Sequence, residues 1–171
     1  MNEPINIPFG LCQITYNDVI LSAMGSEGTF YAIPKYQVLS SGVMGSKKNY
    51  ILEEYYVGFE VSLEHESYET LKLHMPTLQN HKNGLYDSPN KVNTKGKRLV
   101  IHPYSAGASK DFDLCIWDAY IDPESVFKRT FDKQSDKFNV RFIANCVDKH
   151  IDPNLIKSYF FMGDWSKVGV S

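Results

Sequence analysis

Residues 54–66 read EYYVGFEVSLEHE, and their alternation decides the fold. Val57, Phe59, Val61 and Leu63 fall on one parity, and Gly58, Glu60, Ser62 and Glu64 on the other. Successive side chains of a strand leave on opposite faces. The stretch therefore predicts a half-buried strand with an apolar face on the core and a wet, acidic face outside. The spacing changes immediately downstream. Tyr68, Leu71 and Met75 form a helical stripe, Ser67 stands where an N-cap belongs, and Glu69 suits the first turn. Pro76 ends that helix.

Working toward the N-terminus, residues 29–39 form another β-type run in which Pro34 predicts a bend or an edge position. Between the two runs, residues 39–52 read as a long loop. It carries Gly42, Gly45 and two lysines, yet also Val43, Met44, Tyr50, Ile51 and Leu52. Loops ordinarily expose polar groups, so these apolar residues are candidates for burial against another subunit. Residues 11–21 read as strand, Asn17-Asp18 turn and strand.

Working the other way, residues 79–97 read as a polar surface loop and residues 99–104 as a strand. Residues 112–121 are nearly apolar on both parities, the pattern of a central buried strand. Asp122-Pro123 marks a corner. Residues 126–132 and 137–148 suggest an antiparallel pair, with Phe138, Val140, Phe142, Ala144 and Cys146 on one face. Residues 149–171 read as a closing arm, with a short helix or an extended tail over 153–161. The order of strands, helix and strands predicts a single mainly β domain over 1–171. A β-sandwich or partial barrel with one flanking helix fits it.

Composition narrows the function. With 171 residues, a formal net charge of -2 and 22% charged residues, the chain carries no overall basic footprint for gripping nucleic acid. No apolar run is long enough for a bilayer, and residues 1–10 lack the basic start and apolar stretch of a signal peptide, so cytosolic synthesis is expected. The cysteines Cys12, Cys115 and Cys146 are 3 in number, far apart and set among apolar neighbours. Inert buried thiols are expected, not disulfides, nucleophiles or metal ligands.

Catalytic patterns are missing. GVMGSKK at 42–48 lacks P-loop spacing, and no nucleophile elbow occurs. The 5 histidines, His65, His74, His81, His102 and His150, make no ligand pair at metal-binding spacing. Glu60 and Glu64 share a face, but strand rise sets them about 13 Å apart, beyond the roughly 5–9.5 Å of a glycosidase carboxyl pair. Lys91, Lys95, Lys97 and Arg98 make a mild basic cluster with few aromatics interleaved, so a solvated loop is expected there. Trp117 belongs with the core, and Trp165 suits an interface anchor. No enzyme, metal or cofactor is expected.

The order of parts resembles bacteriophage major tail tube proteins, a family shared with tube proteins of contractile injection systems. The resemblance lies in the strand pair at 13–21, the long hairpin over 29–66 and the helix at 67–75. It continues in the strand set over 97–147 with its Asp122-Pro123 corner, and in Phe161-Met162-Gly163-Asp164. It implies hexameric rings whose inner strands join between subunits. Stacked rings would form a virion tail tube around a tape-measure protein, bounded by tail terminator and baseplate or tail-tip proteins. DNA would pass through during ejection without specific binding, and no membrane is involved. The face of Gly58, Glu60, Ser62 and Glu64 would then line the lumen and repel phosphates. A tail terminator, an injection-system tube protein and a monomeric β-sandwich ligand-binding module are the alternatives.

Overall fold

The computed structural model describes residues 10–21, 25–39, 49–63, 67–89, 95–125, 128, 138–147 and 158–168. The fold is mainly β, as expected. Its strands are β1 (Cys12–Tyr16), β2 (Val19–Ile20), β3 (Gly28–Leu39), β4 (Asn49–Leu63), β5 (Leu78–His81), β6 (Gly84–Asp87), β7 (Lys97–Pro103), β8 (Leu114–Ile121), β9 (Phe138–Ala144) and β10 (Phe160–Met162). One helix, α1 (Tyr68–His74), follows β4. An 8-stranded antiparallel sheet runs in the order β2-β1-β7-β8-β9-β4-β3, with β10 pairing β8 where β9 does not reach.

The sheet curls. The rings of Tyr16 on β1 and Phe142 on β9 lie 5.0 Å apart, although β7 and β8 separate their strands. Neighbouring strands sit about 4.8 Å apart, so a flat sheet would hold these rings roughly 14 Å from each other. The curl gathers Ile14, Val57, Phe59, Val61, Leu63, Leu99, Ile116, Val140 and Phe142 into one core, which Leu73 of α1 helps to close. One continuous sheet wrapped round one core is a partial barrel. The alternation in residues 54–66 holds for Val57, Phe59, Val61 and Leu63, all buried.

Local chemistry explains the joints. Asn17 and Asp18 both take positive φ, 50° and 64°, which matches the twist of a tight β-hairpin. Pro34 sits on β3, the edge strand, and the register shifts at Lys35/Tyr36. Ser67 caps α1 as expected, but its reciprocal partner is Thr70: the Thr70 amide donates to Ser67 Oγ at 3.1 Å and the Ser67 amide to Thr70 Oγ1 at 2.6 Å. At the corner, Asp122 is buried and its Oδ1 accepts from the Glu124 amide.

β8 is the buried central strand. Leu114, Ile116 and Ala119 face the main core, whereas Cys115 and Trp117 join Val100 in a second apolar cluster on the other face. Phe161, Trp165, Val168 and Val147 cover that cluster. Ile116 and Ala119 share a face because the β7–β8 register shifts between Lys97 and Leu99.

Several expectations are corrected. Residues 49–52 are not loop but the start of β4, paired with β3 out to Leu39↔Asn49. Within 79–97, β5 and β6 form a hairpin around Lys82 and Asn83. Alternating apolar residues are sparse there, so the sequence hides it. Tyr68 is exposed, and Leu73 replaces it as the core-packing residue of α1. Cys146 is exposed because β9 ends at Ala144 and the alternation ends with it. The described partners of β9 are β4 and β8. Residues 126, 127 and 129–137, invoked for a pairing with β9, lie outside the described residues. So do Val43, Met44 and Glu64.

Candidate assembly surface

β9 pairs with β4 only over Gly58–Leu63, whereas β3 pairs with β4 along its whole length. Among the described residues, the β3–β4 pair therefore extends past the sheet from Val57 back to Asn49 as a two-stranded arm. Cross-strand register puts Tyr36 opposite Leu52 and Val38 opposite Tyr50. These residues share one face, and Tyr36 and Tyr50 meet edge to face at 6.4 Å. Every one of them is exposed, Tyr50 at 60% and Leu52 at 50%. Ile51 and Leu39 are exposed on the opposite face. An isolated two-stranded ribbon is marginal in water, and a contiguous apolar patch of this kind marks an interaction surface.

At the root of the arm, Lys35 bridges Glu54 at 3.4 Å and Glu53 at 3.8 Å across the register shift. Such exposed pairs fix geometry more than they stabilise. Beside it, Leu52, Tyr55, Tyr159, Phe160, Ser158 and Cys146 line an open hollow of about 520 Å³. Tyr55 and Tyr159 pack edge to face there at 5.1 Å. The apolar face of the arm thus runs into an apolar hollow on the body. Of the interface residues expected from sequence, Tyr50, Ile51 and Leu52 stand on this arm. Tyr36 and Val38 were missed, because only register reveals their partners.

The other sheet face is less acidic than expected. Register lines up Thr29, Glu60 and Arg141 across β3, β4 and β9. Arg141 Nε lies 3.5 Å from Glu60 Oε1 and 3.3 Å from the buried carboxylate of Asp122. It also donates to Tyr31 Oη at 3.2 Å and, through Nη2, to Tyr56 Oη at 2.8 Å. Hydrogen bonding to Tyr31 is the chief reason the guanidinium is held more firmly protonated than usual. Burial pushes the Tyr31 phenol up to about 12. The Glu60 charge therefore has a cation beside it. Ser62 is half-buried on this face, and Gly58 is buried.

Gly58 is needed where it stands. A Cβ there would lie 2.5 Å from Tyr31 Oη, because the Tyr31 ring lies over the glycine and stacks on Tyr56 at 5.6 Å. In Gly58→Ala, Tyr31 swings away and loses its bond to Arg141. We expect a loss of about 1 kcal/mol in urea unfolding, with the fold retained by circular dichroism.

No arrangement on the described residues resembles a catalytic centre. His102 Nδ1 lies 2.5 Å from Asp113 Oδ1, but its Nε2 faces the Gly107 carbonyl at 2.9 Å, so the ring addresses no hydroxyl or thiol. Burial raises Cys12 to about 11 and Cys115 to about 12, which keeps both as thiols. Among the described residues no His, Cys, Asp and Glu cluster is placed to hold a metal. No described helix is long and apolar enough to cross a membrane. Arg98 is bound to Asp18 and lies over Trp165, so it is not part of an open basic patch. Trp165 packs against the body of its own chain.

No family model matches the chain, and no curated protein matches it. The fold and this surface define a class: a mainly β, partial-barrel protein with an uncovered apolar arm.

Proposed function

We propose that this chain is a structural subunit that self-assembles into rings which stack as the tube of a phage tail, a conduit for DNA. The arm carries the reading. It exposes Tyr36, Val38, Tyr50 and Leu52 on one face of a ribbon that its own sheet does not support. Contact with a neighbouring copy would bury that face and stabilise the ribbon. Two open sheet edges support the same reading. Among the described residues, β3 is free along its outer side at one end of the sheet, and the short β2, with Val19 and Ile20 exposed, stands at the other. Unpaired edges invite strand addition, and head-to-tail contacts of unlike edges close into rings when the rotation permits. A tape-measure protein inside the tube, and terminator and baseplate or tail-tip proteins at its ends, are the partners this role requires.

Negative-stain microscopy and sedimentation of the purified chain at rising concentration test the proposal. Hollow rings or stacked tubes are expected. A compact monomer whose arm amides resist hydrogen exchange would replace it with a monomeric ligand-binding module, since only a self-sufficient arm stays protected alone.

The lumen is assigned to the face of Gly58, Glu60 and Ser62. There Glu60 offsets Arg141, leaving a nearly neutral row across which phosphates can slide. Glu60→Lys would set two cations side by side in every subunit. Tubes of this variant are expected to form and to eject DNA more slowly, with the delay shrinking as salt rises. Unchanged ejection rates in low salt would move the lumen to another face.

A further inference from the structure

A buried polar cluster pins residues 163–168 to the sheet, on the side away from the main core. Asp113 is 2% exposed and stands in the turn between β7 and β8. Its Oδ1 meets His102 Nδ1 at 2.5 Å, and its Oδ2 accepts from Trp165 Nε1 at 3.0 Å. Its carbonyl accepts from the Gly163 amide at 2.8 Å. The other His102 nitrogen, Nε2, lies 2.9 Å from the Gly107 carbonyl oxygen. Both ring nitrogens thus face acceptors, and only the imidazolium can donate at both.

We propose that His102, Asp113 and Trp165 form a pH-sensitive clasp. The clasp holds residues 163–168 over Val100, Cys115 and Trp117 while His102 is protonated, and lets the segment lift as pH rises. When the proton leaves, one nitrogen turns a lone pair toward an oxygen. Either Asp113 becomes a buried carboxylate without its cation, or the Gly107 carbonyl loses its donor. Both weaken the platform on which Trp165 sits.

Charged groups from several elements surround His102 and Trp165. Lys110 of the same turn lies 5.4 Å from the Trp165 ring and opposes protonation of His102. Arg98 of β7 lies 4.3 Å from the centre of that ring and is paired with Asp18 of the β1–β2 turn. Asp164 pairs with Lys167 at 2.9 Å within the segment, and Asp111 acts on Lys167 from the turn. β1 contributes only the neutral Gln13 and Thr15 to the hollow that His102, Lys110, Asp113 and Trp165 also line. Burial lowers the His102 pKa, but the hydrogen bonds to Asp113 and Gly107 and the Asp113 charge outweigh it, so the value lies above 6.5. A raised value in the folded state means the clasp is fully closed below pH 6.5 and opens as pH climbs through the raised value.

The cysteines supply the assay within one molecule. Cys146 is exposed, Cys115 lies beneath the clasp, and Cys12 is buried in the main core. Pulse alkylation of the intact chain, read by mass spectrometry, gives each site relative to Cys146 at the same pH. Between about pH 6 and pH 9 the Cys115 ratio should rise about fivefold, the factor that one lost hydrogen bond gives an opening equilibrium. The Cys12 ratio should stay flat, which excludes global unfolding. His102→Gln, neutral throughout, should flatten the Cys115 profile. A wild-type Cys115 ratio that tracks Cys12 across this range overturns the proposal, as does a rise that persists in His102→Gln. If that variant does not fold, the wild-type profile still decides, together with the nuclear magnetic resonance titration of His102, whose midpoint must match the rise.

Discussion

Replacing Tyr50 and Leu52 together by threonine should abolish the proposed ring and tube formation while leaving the subunit folded. Both residues are half or more exposed, at 60% and 50%, so the isolated subunit gains little from them. Threonine, being β-branched, keeps the strand preference that the ribbon needs, and exposed substitutions of this kind shift stability by about 0.5 kcal/mol or less. In an assembly the balance reverses. Burying a large apolar side chain contributes roughly 1.5–3 kcal/mol. Losing two such contributions at each contact raises the critical concentration by about 100-fold or more, at 1.4 kcal/mol for each factor of ten. The measurement is sedimentation across a concentration series, with the melting curve as control. Wild-type assembly in the double variant would show that the arm is not the contact. The arm also makes the subunit prone to irregular association, because among the described residues its outer edge on β3 is unpaired.

Phe142→Ala should be the most damaging change within the subunit. Phe142 is fully buried, packs on the Tyr16 ring at 5.0 Å and stands opposite Phe59 on β4 and Ile121 on β8. Its removal empties the middle of the curled sheet, and strands locked on both sides cannot collapse into the gap. A loss of about 3–5 kcal/mol follows for a fully buried phenylalanine, a large share of the roughly 5–15 kcal/mol that holds a domain together. Ile143→Ala is the internal control. It is the next residue along, on the opposite and only half-buried face. Urea unfolding of the two variants should differ by about 2 kcal/mol or more, because a strand sends neighbouring side chains to opposite faces. Equal losses would mean that both faces of β9 are equally filled.

The contrast between those neighbours shows which parts of the molecule were legible in the chain. Alternation in 54–66 gave the core parity of Val57, Phe59, Val61 and Leu63, because a period of two is a property of the strand itself. The Asn17-Asp18 turn, the Ser67 cap, the edge position of Pro34 and the two-sided burial of residues 114–117 are equally local. Tyr50, Ile51 and Leu52 were also readable as apolar groups without a home, although their strand was not. Reading that strand requires knowing that Leu39 returns to meet Asn49.

The sequence by itself therefore determined the class of structure, the parity of each strong strand, the capped helix and the short turns. Each follows from the stereochemistry of neighbouring residues. Only the tertiary structure decided that the sheet curls until Tyr16 touches Phe142, and that Arg141 sits beside Glu60 on a face read as acidic. It alone brought His102, Asp113 and Trp165 together, although Trp165 comes 52 residues after Asp113. Those contacts depend on strand order, register and one bulge in β8, which long-range pairing fixes and no short window of sequence contains.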